Sequence, residues 1–415
     1  MGRLRVALVG EYPISEESIQ EGGIQSVTYA LAHALARRPE IECHVIAAMK
    51  GATTKYRRVG ELHVHYIRRL NIRHLVSVTL RILDVPALVR LIRSINPDVV
   101  HGEGQDRHAL AALGAGFPTV ITPHGVVFIE SRMMRRHWLD IAGYLRLKQY
   151  LVDDVERVVF RRARDMIITS RYLPQIYGSM LQAHQHFIDN PIGQEFFQVP
   201  RSPVPGRLLF VGTVVPRKRV QDIVAAVAQV LNMPASSNAQ WKSDLQLRIA
   251  GPLLDAGSEA LLRSTIESTG LQRRVTLLGP VSQSQLVDEY ARAQILVLAS
   301  KEETAPQVIA QGMACGLPTV ASAVGGIPAM VRDGETGLLF PFSDTQAFAK
   351  QLFRLLNDSQ LRKAMETKIV LEGRERFHPD SVAAQTVAVY REMLSRENNG
   401  GKKNPEAFLL AHPEK

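Results

Sequence analysis

Short runs of apolar, mostly β-branched residues alternate along the chain with longer segments in which apolar residues recur every three or four positions. The short runs predict β-strands and the longer segments predict α-helices. A repeat of strand, helix and strand is typical of a parallel sheet, in which each helix crosses from one strand to the next. The first crossover helix is indicated by Ile24, Val27, Leu31 and Leu35, whose spacing is helical.

The alternation forms two series separated by one irregular segment. The first series has predicted strands at residues 5–10, 42–48, 98–102, 119–125 and 165–170. The second has predicted strands at residues 207–213, 245–251, 274–279, 294–300, 318–322 and 337–340. Between them, VPRSPVPG at 199–206 contains three prolines and a glycine, which disfavour regular structure. We therefore predict an α/β protein with two Rossmann-like parallel-sheet domains.

The predicted domain limits follow from this division. They are a first domain at 1–198, a linker at 199–206, a second domain at 207–375, a terminal helical segment at 376–395 that packs back on the first domain, and a mobile tail at 396–415. Ligands of open parallel sheets bind at the carboxyl ends of the strands. Two such domains facing each other predict a binding site in the cleft between them.

The composition is that of a globular protein, with 415 residues, 46% hydrophobic and 22% charged, and it excludes a mainly disordered chain. No apolar run approaches the roughly 18 residues that cross a bilayer, and the start lacks the apolar core of a signal peptide. We therefore expect a cytoplasmic protein. Two cysteines, Cys43 and Cys315, offer neither a disulfide framework nor a paired metal site.

The charge is uneven along the chain, whose net charge is +10. Between Lys50 and Arg93 there are ten Lys or Arg residues against two acidic residues, which favours anionic partners. A second basic stretch, Arg132 to Arg164, also contains Met and Trp, a composition suited to a helix on a membrane surface. A solvated helix face explains the second stretch equally well.

The segment from Ser300 to Ser322 joins two predicted strands through a helix and carries candidate chemistry. Pro306 suits the first helical position, which makes Ala305 the cap and leaves the N–H groups of Gln307 and Val308 free to bind phosphate. Glu303 and Gln311 lie eight residues apart, which is about the span of a nucleotide along a helix. Residue chemistry alone favours the plainer interpretation, a crossover helix with an acidic start.

Several motifs together decide between these interpretations. They are EGGIQSVTYALAHAL (21–35), PDVVH (97–101), TPHG (122–125), DNPI (189–192), VGTVVPRK (211–218), Glu303, MACGLP (313–318) and VGGIP (324–328). With these motifs the chain resembles glycosyltransferase family four over nearly its whole length. The resemblance implies the two-domain GT-B fold, an interdomain cleft, and retaining transfer of a sugar from a nucleotide diphosphate donor.

The resemblance also implies roles for individual residues. His124 would contact the transferred sugar, Glu303 would position its hydroxyls, and Lys218 would stabilise the leaving diphosphate. The donor phosphates would lie near Gly22 and Gly23. The remaining donor-side residues are Thr213, Arg217, Lys218, Glu303, Ala305, Pro306, Gln307, Val308 and Gln311.

The chain departs from the family pattern at two positions. Gln311 stands where the family has a second Glu that binds the ribose, and Thr213 stands where the family has an Arg that binds the diphosphate. Lys218, with Arg217 beside it, is then left as the main cation for the diphosphate. An amide can still accept and donate a hydrogen bond, so Gln311 is expected to bind the ribose more weakly.

We predict a retaining hexosyltransferase of cell-surface glycan, glycolipid or polysaccharide synthesis. No Asp-x-Asp motif occurs, so neither a metal nor a cofactor is expected besides the donor substrate. Expected partners are the donor, a glycan or lipid-linked acceptor, and an anionic membrane at its inner face, without nucleic acid. Two alternatives stay open: an epimerase or phosphorylase on the same fold, and an inactive subunit that binds nucleotide sugars.

Overall fold

The computed structural model describes residues 2–14, 23–49, 55–68, 82–126, 154–234 and 240–399. They form two α/β units, each built on one sheet. The first sheet has eight strands in the order β3-β4-β2-β1-β5-β6-β7-β8. Their bounds are β1 Leu4–Val9, β2 Ile41–Met49, β3 Lys55–Val59, β4 Leu62–Arg68, β5 Val99–Glu103, β6 Thr119–Thr122, β7 Asp165–Ile168 and β8 His184–Phe187.

The second sheet has six strands, all parallel, in the order β11-β10-β9-β12-β13-β14. Their bounds are β9 Arg207–Val211, β10 Gln246–Ala250, β11 Val275–Gly279, β12 Ile295–Leu298, β13 Thr319–Ser322 and β14 Gly337–Phe340. All six strands lie at their predicted positions. The predicted α/β class with two parallel-sheet domains is thereby confirmed.

The helices of the first unit are α1 Gly23–Ala36, α2 Val85–Ile95, α3 Arg107–Gly114 and α4 Tyr172–Tyr177, and residues 154–162 are also helical. The next helix, α5 Glu195–Gln198, packs in the core of the second unit through Phe196. The further helices of the second unit are α6 Val220–Asn232, α7 Trp241–Asp244, α8 Ala256–Ser268, α9 Gln283–Arg292, α10 Gln307–Ala314, α11 Ile327–Met330, α12 Thr345–Asn357 and α13 Ser359–Phe377. A last helix, α14 Pro379–Asn399, follows. No helix within the described ranges is long and apolar enough to cross a membrane.

Three strands of the first sheet were not predicted. Strands β3 and β4 form an antiparallel hairpin at the sheet edge, joined through Gly60, whose φ is +57°. In β4 the side chains alternate between buried and half-buried, whereas those of β3 are almost all exposed. The third, β8, adds a parallel strand at the opposite edge. The first sheet is therefore mixed at one edge.

The last helix belongs to the core of the first unit, although it follows the second unit in the chain. Val382, Val387 and Tyr390 of α14 are buried in one cluster with Leu31 and Leu35 of α1. Each such apolar side chain contributes about 1.5 to 3 kcal/mol when fully buried. The helix continues to Asn399, four residues into the range predicted as a tail, and residues 400–415 lie outside the described residues.

Candidate active site

The predicted site residues follow the carboxyl ends of strands in both sheets. His124 comes two residues after β6, Lys218 ends a short 3₁₀ turn after β9, and Glu303 comes five residues after β12. Two hydrogen bonds join the two units near these strand ends. Gln307 Nε2 of α10 donates to the carbonyl of Gly23 at 2.7 Å, and Tyr172 of the first unit is hydrogen bonded to Glu302 of the second.

Glu303 is the centre of a charged cluster in the second unit, and it is 6% exposed. Its Oε1 accepts from Lys218 Nζ and from Ser300 Oγ, the latter at 2.7 Å, and its Oε2 lies 3.3 Å from Arg217 Nη1. Burial alone would raise the pKa of Glu303, but the two cations and the Ser300 hydroxyl outweigh it and the pKa is lowered. The carboxylate is thus ionised at neutral pH.

The same cluster carries a surplus of positive charge toward the cleft. Arg217 Nη1 also donates to the carbonyl of Glu302 at 2.6 Å, which fixes its guanidinium beside the carboxylate. Lys218 and Arg217 together balance one carboxylate with two cations. Thr213 is half-buried and follows Gly212, on which a Cβ would lie 3.8 Å from Lys218 Cε. A diphosphate at this point would meet two cations.

The start of α10 differs by one residue from the prediction. Pro306 is extended and caps the helix, with φ −65° and ψ 112°, so Gln307 is the first helical residue and Ala305 lies before the cap. The reason is that the Pro306 carbonyl already accepts the N–H of Ile309 at 3.0 Å. The N–H groups of Gln307 and Val308 still precede this first bond, so both remain available as the donors predicted for a phosphate.

Gln311 has a partner that the sequence did not reveal. The hydroxyl of Tyr290, which is fully buried, donates to Gln311 Oε1 at 3.0 Å and also lies 3.1 Å from the Val308 carbonyl. Burial raises the pKa of Tyr290 well above its usual range, so this hydroxyl stays protonated. One lone pair of the Gln311 amide oxygen is therefore occupied by the protein itself.

The glycine pair Gly325 and Gly326 packs against the backbone that carries Glu303. A Cβ on Gly325, whose φ is +52°, would lie 2.0 Å from the Glu303 carbonyl oxygen. A Cβ on Gly326 would lie 1.8 Å from the Thr304 carbonyl oxygen and 2.4 Å from Ser170 Oγ of the first unit. Both positions require glycine because of this close approach.

In the first unit, His124 is paired with the carboxylate of Glu103, which was not predicted from the sequence. His124 Nε2 lies 2.5 Å from Glu103 Oε2, and its backbone N–H donates to Gln105 Oε1 at 3.2 Å. The His124 side chain is 4% exposed. Glu103 ends β5 directly after the motif PDVVHG, so its place at a strand end was the available signal. His101, the last residue of the motif PDVVH, is buried and lies 2.7 Å from the Tyr390 hydroxyl.

Not every predicted residue is placed by the structure. Gly22 lies outside the described residues, while Gly23 is the first residue of α1. A cavity of about 260 Å³ also lies where the units meet, and none of the predicted residues lines it. Its lining is Ile168, Thr169, Ser170, Arg171, Phe187, Ile188, Asp189, Ala329, Met330 and Arg376.

Curated relatives match about half of the chain. An exopolysaccharide phosphotransferase from Streptomyces coelicolor is 32% identical over 216 residues, which are 51% of this chain and 21% of that protein. A D-inositol 3-phosphate glycosyltransferase from Corynebacterium glutamicum is 31% identical over 193 residues, 46% of this chain and 45% of that protein. The matched region thus spans less than half the length of either relative.

Solved structures match the whole fold. Sucrose-phosphate synthase from Thermosynechococcus elongatus has a TM-score of 0.72, with 95% of this chain and 100% of that chain covered at 18% identity. HepE from Anabaena, solved with UDP, has a TM-score of 0.65, with 94% and 100% covered at 17% identity. At these identities the likeness shows the fold, which is GT-B.

Two family models match adjacent parts of the chain. The one described as Glycosyltransferase Family 4 matches residues 21–192, and the one described as Glycosyl transferases group 1 matches residues 193–369. The first model covers strands β2 to β8 of the first sheet, the second covers the whole second sheet, and together they include every predicted site residue. The chain therefore belongs to glycosyltransferase family four, of the GT-B fold.

Proposed function

We propose that the protein is a retaining glycosyltransferase that moves a hexosyl-type sugar from a nucleotide diphosphate donor to an acceptor hydroxyl. The observation that carries the proposal is the cluster of Glu303, Lys218 and Arg217 beside the start of α10. It offers positive charge for a diphosphate and a buried carboxylate for sugar hydroxyls. The family supports the reaction type.

In the proposed reaction the bond from the sugar to the diphosphate breaks while charge builds on the phosphate oxygens. Lys218, Arg217 and the free N–H groups at the start of α10 would stabilise that charge, and such preorganised contacts are each worth about 3 to 4 kcal/mol of barrier. Glu303 would accept hydrogen bonds from the sugar. The donor phosphate would assist removal of the acceptor proton on the same face, which retains the configuration.

The metal-free character is part of the proposal. Two cations and a helix N-terminus take the place that a bound cation would otherwise have at the diphosphate. Besides the donor and the acceptor, the proposed reaction requires no cofactor. We further propose a glycan or lipid-linked acceptor, since the described part of the basic segment exposes Lys55, Arg57 and Arg58 on β3.

The test combines donor screening with product analysis. Because HepE was solved with UDP and with glucose, UDP-glucose is the first donor to examine, followed by other nucleotide sugars. Release of nucleoside diphosphate reports turnover, and proton NMR of the product reports the anomeric configuration. Retained configuration with undiminished turnover in EDTA is expected. An inverted product, or activity lost in EDTA and restored by a divalent cation, contradicts the mechanism.

A nucleotide-sugar-binding subunit without turnover is the second candidate. It is favoured by the Tyr290 hydrogen bond to Gln311, which occupies a group expected to bind ribose, and by the absence of an Arg at Thr213. Calorimetric binding of the donor without release of nucleoside diphosphate across an acceptor panel would select it. An epimerase or phosphorylase would instead convert the donor without any added acceptor hydroxyl, or need pyridoxal phosphate.

A further inference from the structure

A row of buried polar side chains leads from the last helix to the predicted active-site histidine. The Tyr390 hydroxyl of α14 lies 2.7 Å from His101 Nδ1. His101 Nε2 lies 2.6 Å from Thr122 Oγ1 and 3.5 Å from Glu103 Oε1. Glu103 Oε2 in turn lies 2.5 Å from His124 Nε2. His101 and Glu103 are each 1% exposed, so the row is shielded from water.

The charge of Glu103 follows from its neighbours. Burial alone would raise the pKa of Glu103, but His101 and His124, with the hydrogen bond from His124, outweigh it and the pKa is lowered. An ionised carboxylate can only accept hydrogen bonds. His124 Nε2 must therefore carry a proton and donate it to Glu103. His124 Nδ1 has no hydrogen-bond partner in the described part of the chain, so it is the nitrogen left for a ligand.

We propose that Glu103 is the positioning residue of this active site, which holds the His124 ring with Nε2–H toward itself and presents Nδ1 to the bound sugar. The inference rests on the proposed function, in which His124 contacts the transferred sugar. His101, held by Tyr390 and Thr122, lies 3.5 Å from the other oxygen of the Glu103 carboxylate and restricts the space around it without a hydrogen bond to it. The last helix thus borders the site through this histidine.

The alternative is a pair that only stabilises the fold, and the surroundings of Glu103 argue against it. Its Oε1 is buried without a hydrogen-bond partner among the described residues. A buried carboxylate that is only half satisfied is costly for stability, and an apolar side chain would serve a purely structural role better. Histidine orientation by a carboxylate is a general way to select one ring tautomer.

Glu103→Gln tests the proposal, because the new amide can donate to Nε2 and so allow the other tautomer. We expect kcat to fall by about tenfold or more while the donor KM stays within about twofold. Tyr390→Phe, which removes the hydroxyl next to His101, should also lower kcat, but by less than Glu103→Gln does. Nitrogen-15 NMR of labelled histidine should show His124 protonated at Nε2 in the wild type, with the signal assigned by its loss in His124→Gln.

Glu289→Gln is the matched control. Glu289 is also a buried carboxylate, paired through two bonds of 2.5 and 2.6 Å with Arg248 in the second unit. Its variant should unfold at a lower temperature and keep the wild-type kcat and His124 signals. Equal losses of kcat in both variants, or unchanged kcat and signals in Glu103→Gln, would overturn the inference.

The proposed transferase function and the positioning role of Glu103 can be rejected by different results. Should the wild type transfer no sugar from any donor, the proposed function fails, and the ring-nitrogen spectrum still decides whether Glu103 holds Nε2–H. A wild-type spectrum with the proton on Nδ1 rejects the positioning role even in an active enzyme. That measurement is also independent of whether Glu103→Gln folds.

Discussion

The single negative charge of Glu303 is paired with two positive charges, those of Lys218 and Arg217. In the proposed reaction the donor diphosphate competes with Glu303 for Lys218 and Arg217, and the cations divide between the two anions. The carboxylate then has lone pairs for the sugar hydroxyls. The ion pairs observed at 3.3 Å and closer therefore fit both a resting cluster and a donor site.

Glu303→Ala and Lys218→Ala should each lower turnover strongly and leave the fold intact. Each variant removes one preorganised contact, worth about 3 to 4 kcal/mol of barrier, or a loss of roughly 100- to 1,000-fold. Steady-state release of nucleoside diphosphate measures the loss, and circular dichroism checks the fold. Glu259→Ala, which breaks an exposed pair with Arg263 at 2.8 Å, serves as control. Near-normal turnover in both site variants would reject the assigned site.

Gln311→Glu should tighten nucleotide binding. A carboxylate offers the Tyr290 hydroxyl one oxygen and the ribose the other, and a charged acceptor is about twice as strong as a neutral one. Calorimetry with UDP measures the change. Tyr290→Phe alone should also strengthen binding somewhat, because it releases the Gln311 oxygen. Weaker binding in Gln311→Glu would show that the ribose lies elsewhere.

Single residues also show what could be predicted from the sequence. Glu303, Lys218 and Arg217 were predicted because they stand in spaced motifs, and the structure brings them together. Glu103 was missed because its role depends on His124, which is 21 residues away in the chain and adjacent only in the sheet. The hydrogen bond from Tyr290 to Gln311 was missed for the same reason, since Tyr290 lies on another helix.

Among the larger elements, the loop of Gly325 and Gly326 packs against residues of both units at the site. Gly326→Ala should displace the loop, since its Cβ would lie 1.8 Å from a carbonyl oxygen. We expect a loss of about 1 to 3 kcal/mol in unfolding free energy together with reduced turnover. Urea unfolding measures the change in unfolding free energy, and release of nucleoside diphosphate measures turnover.

Gly114→Ala is the control for this substitution. Its Cβ would meet Val89 at an ordinary 3.5 Å, in a helix where alanine is favoured. This variant should be as stable as the wild type or up to about 1 kcal/mol more stable. Should Gly326→Ala behave like Gly114→Ala, the close approach of the loop is not what holds the site together.

The strands of the second sheet were easier to predict from the sequence than those of the first. All six strands of the second sheet are short apolar runs, which the pattern indicates directly. The hairpin of β3 and β4 was missed because β3 reads KYRRV and is nearly all exposed, whereas β4, with histidines between its buried apolar residues, has the alternation typical of a half-buried strand. Pairing with β2 stabilises this edge through backbone hydrogen bonds that a hydrophobic pattern does not reveal.

For the whole molecule, the uneven charge raises the question of the acceptor. The described basic residues of the first unit include Arg57 and Arg58 on the exposed edge strand. Basic side chains on an edge strand also prevent edge-to-edge association. A membrane-borne acceptor and protection of the edge both account for them, and a binding measurement separates the two.

We expect the protein to co-sediment with anionic vesicles at low salt and to be released as salt rises. Arg57→Gln with Arg58→Gln should weaken binding by about tenfold or more, since each basic residue near an anionic surface contributes about 1 kcal/mol. Arg263→Gln with Arg273→Gln removes the same charge from the second unit and should have little effect. If wild type ignores anionic vesicles, a soluble acceptor is preferable.

The return of α14 to the first unit has a consequence for synthesis of the chain. Tyr390 and Met393 complete a core whose first strand begins at Leu4, so nearly the whole chain must emerge before that core closes. At about 5 to 20 residues per second, the first unit waits roughly 10 to 40 seconds after its own strands are made. The core of the second unit also includes a late helix, but its last member, Phe377, precedes Tyr390 in the chain. On the ribosome, the unit that is made second is therefore the first able to finish folding.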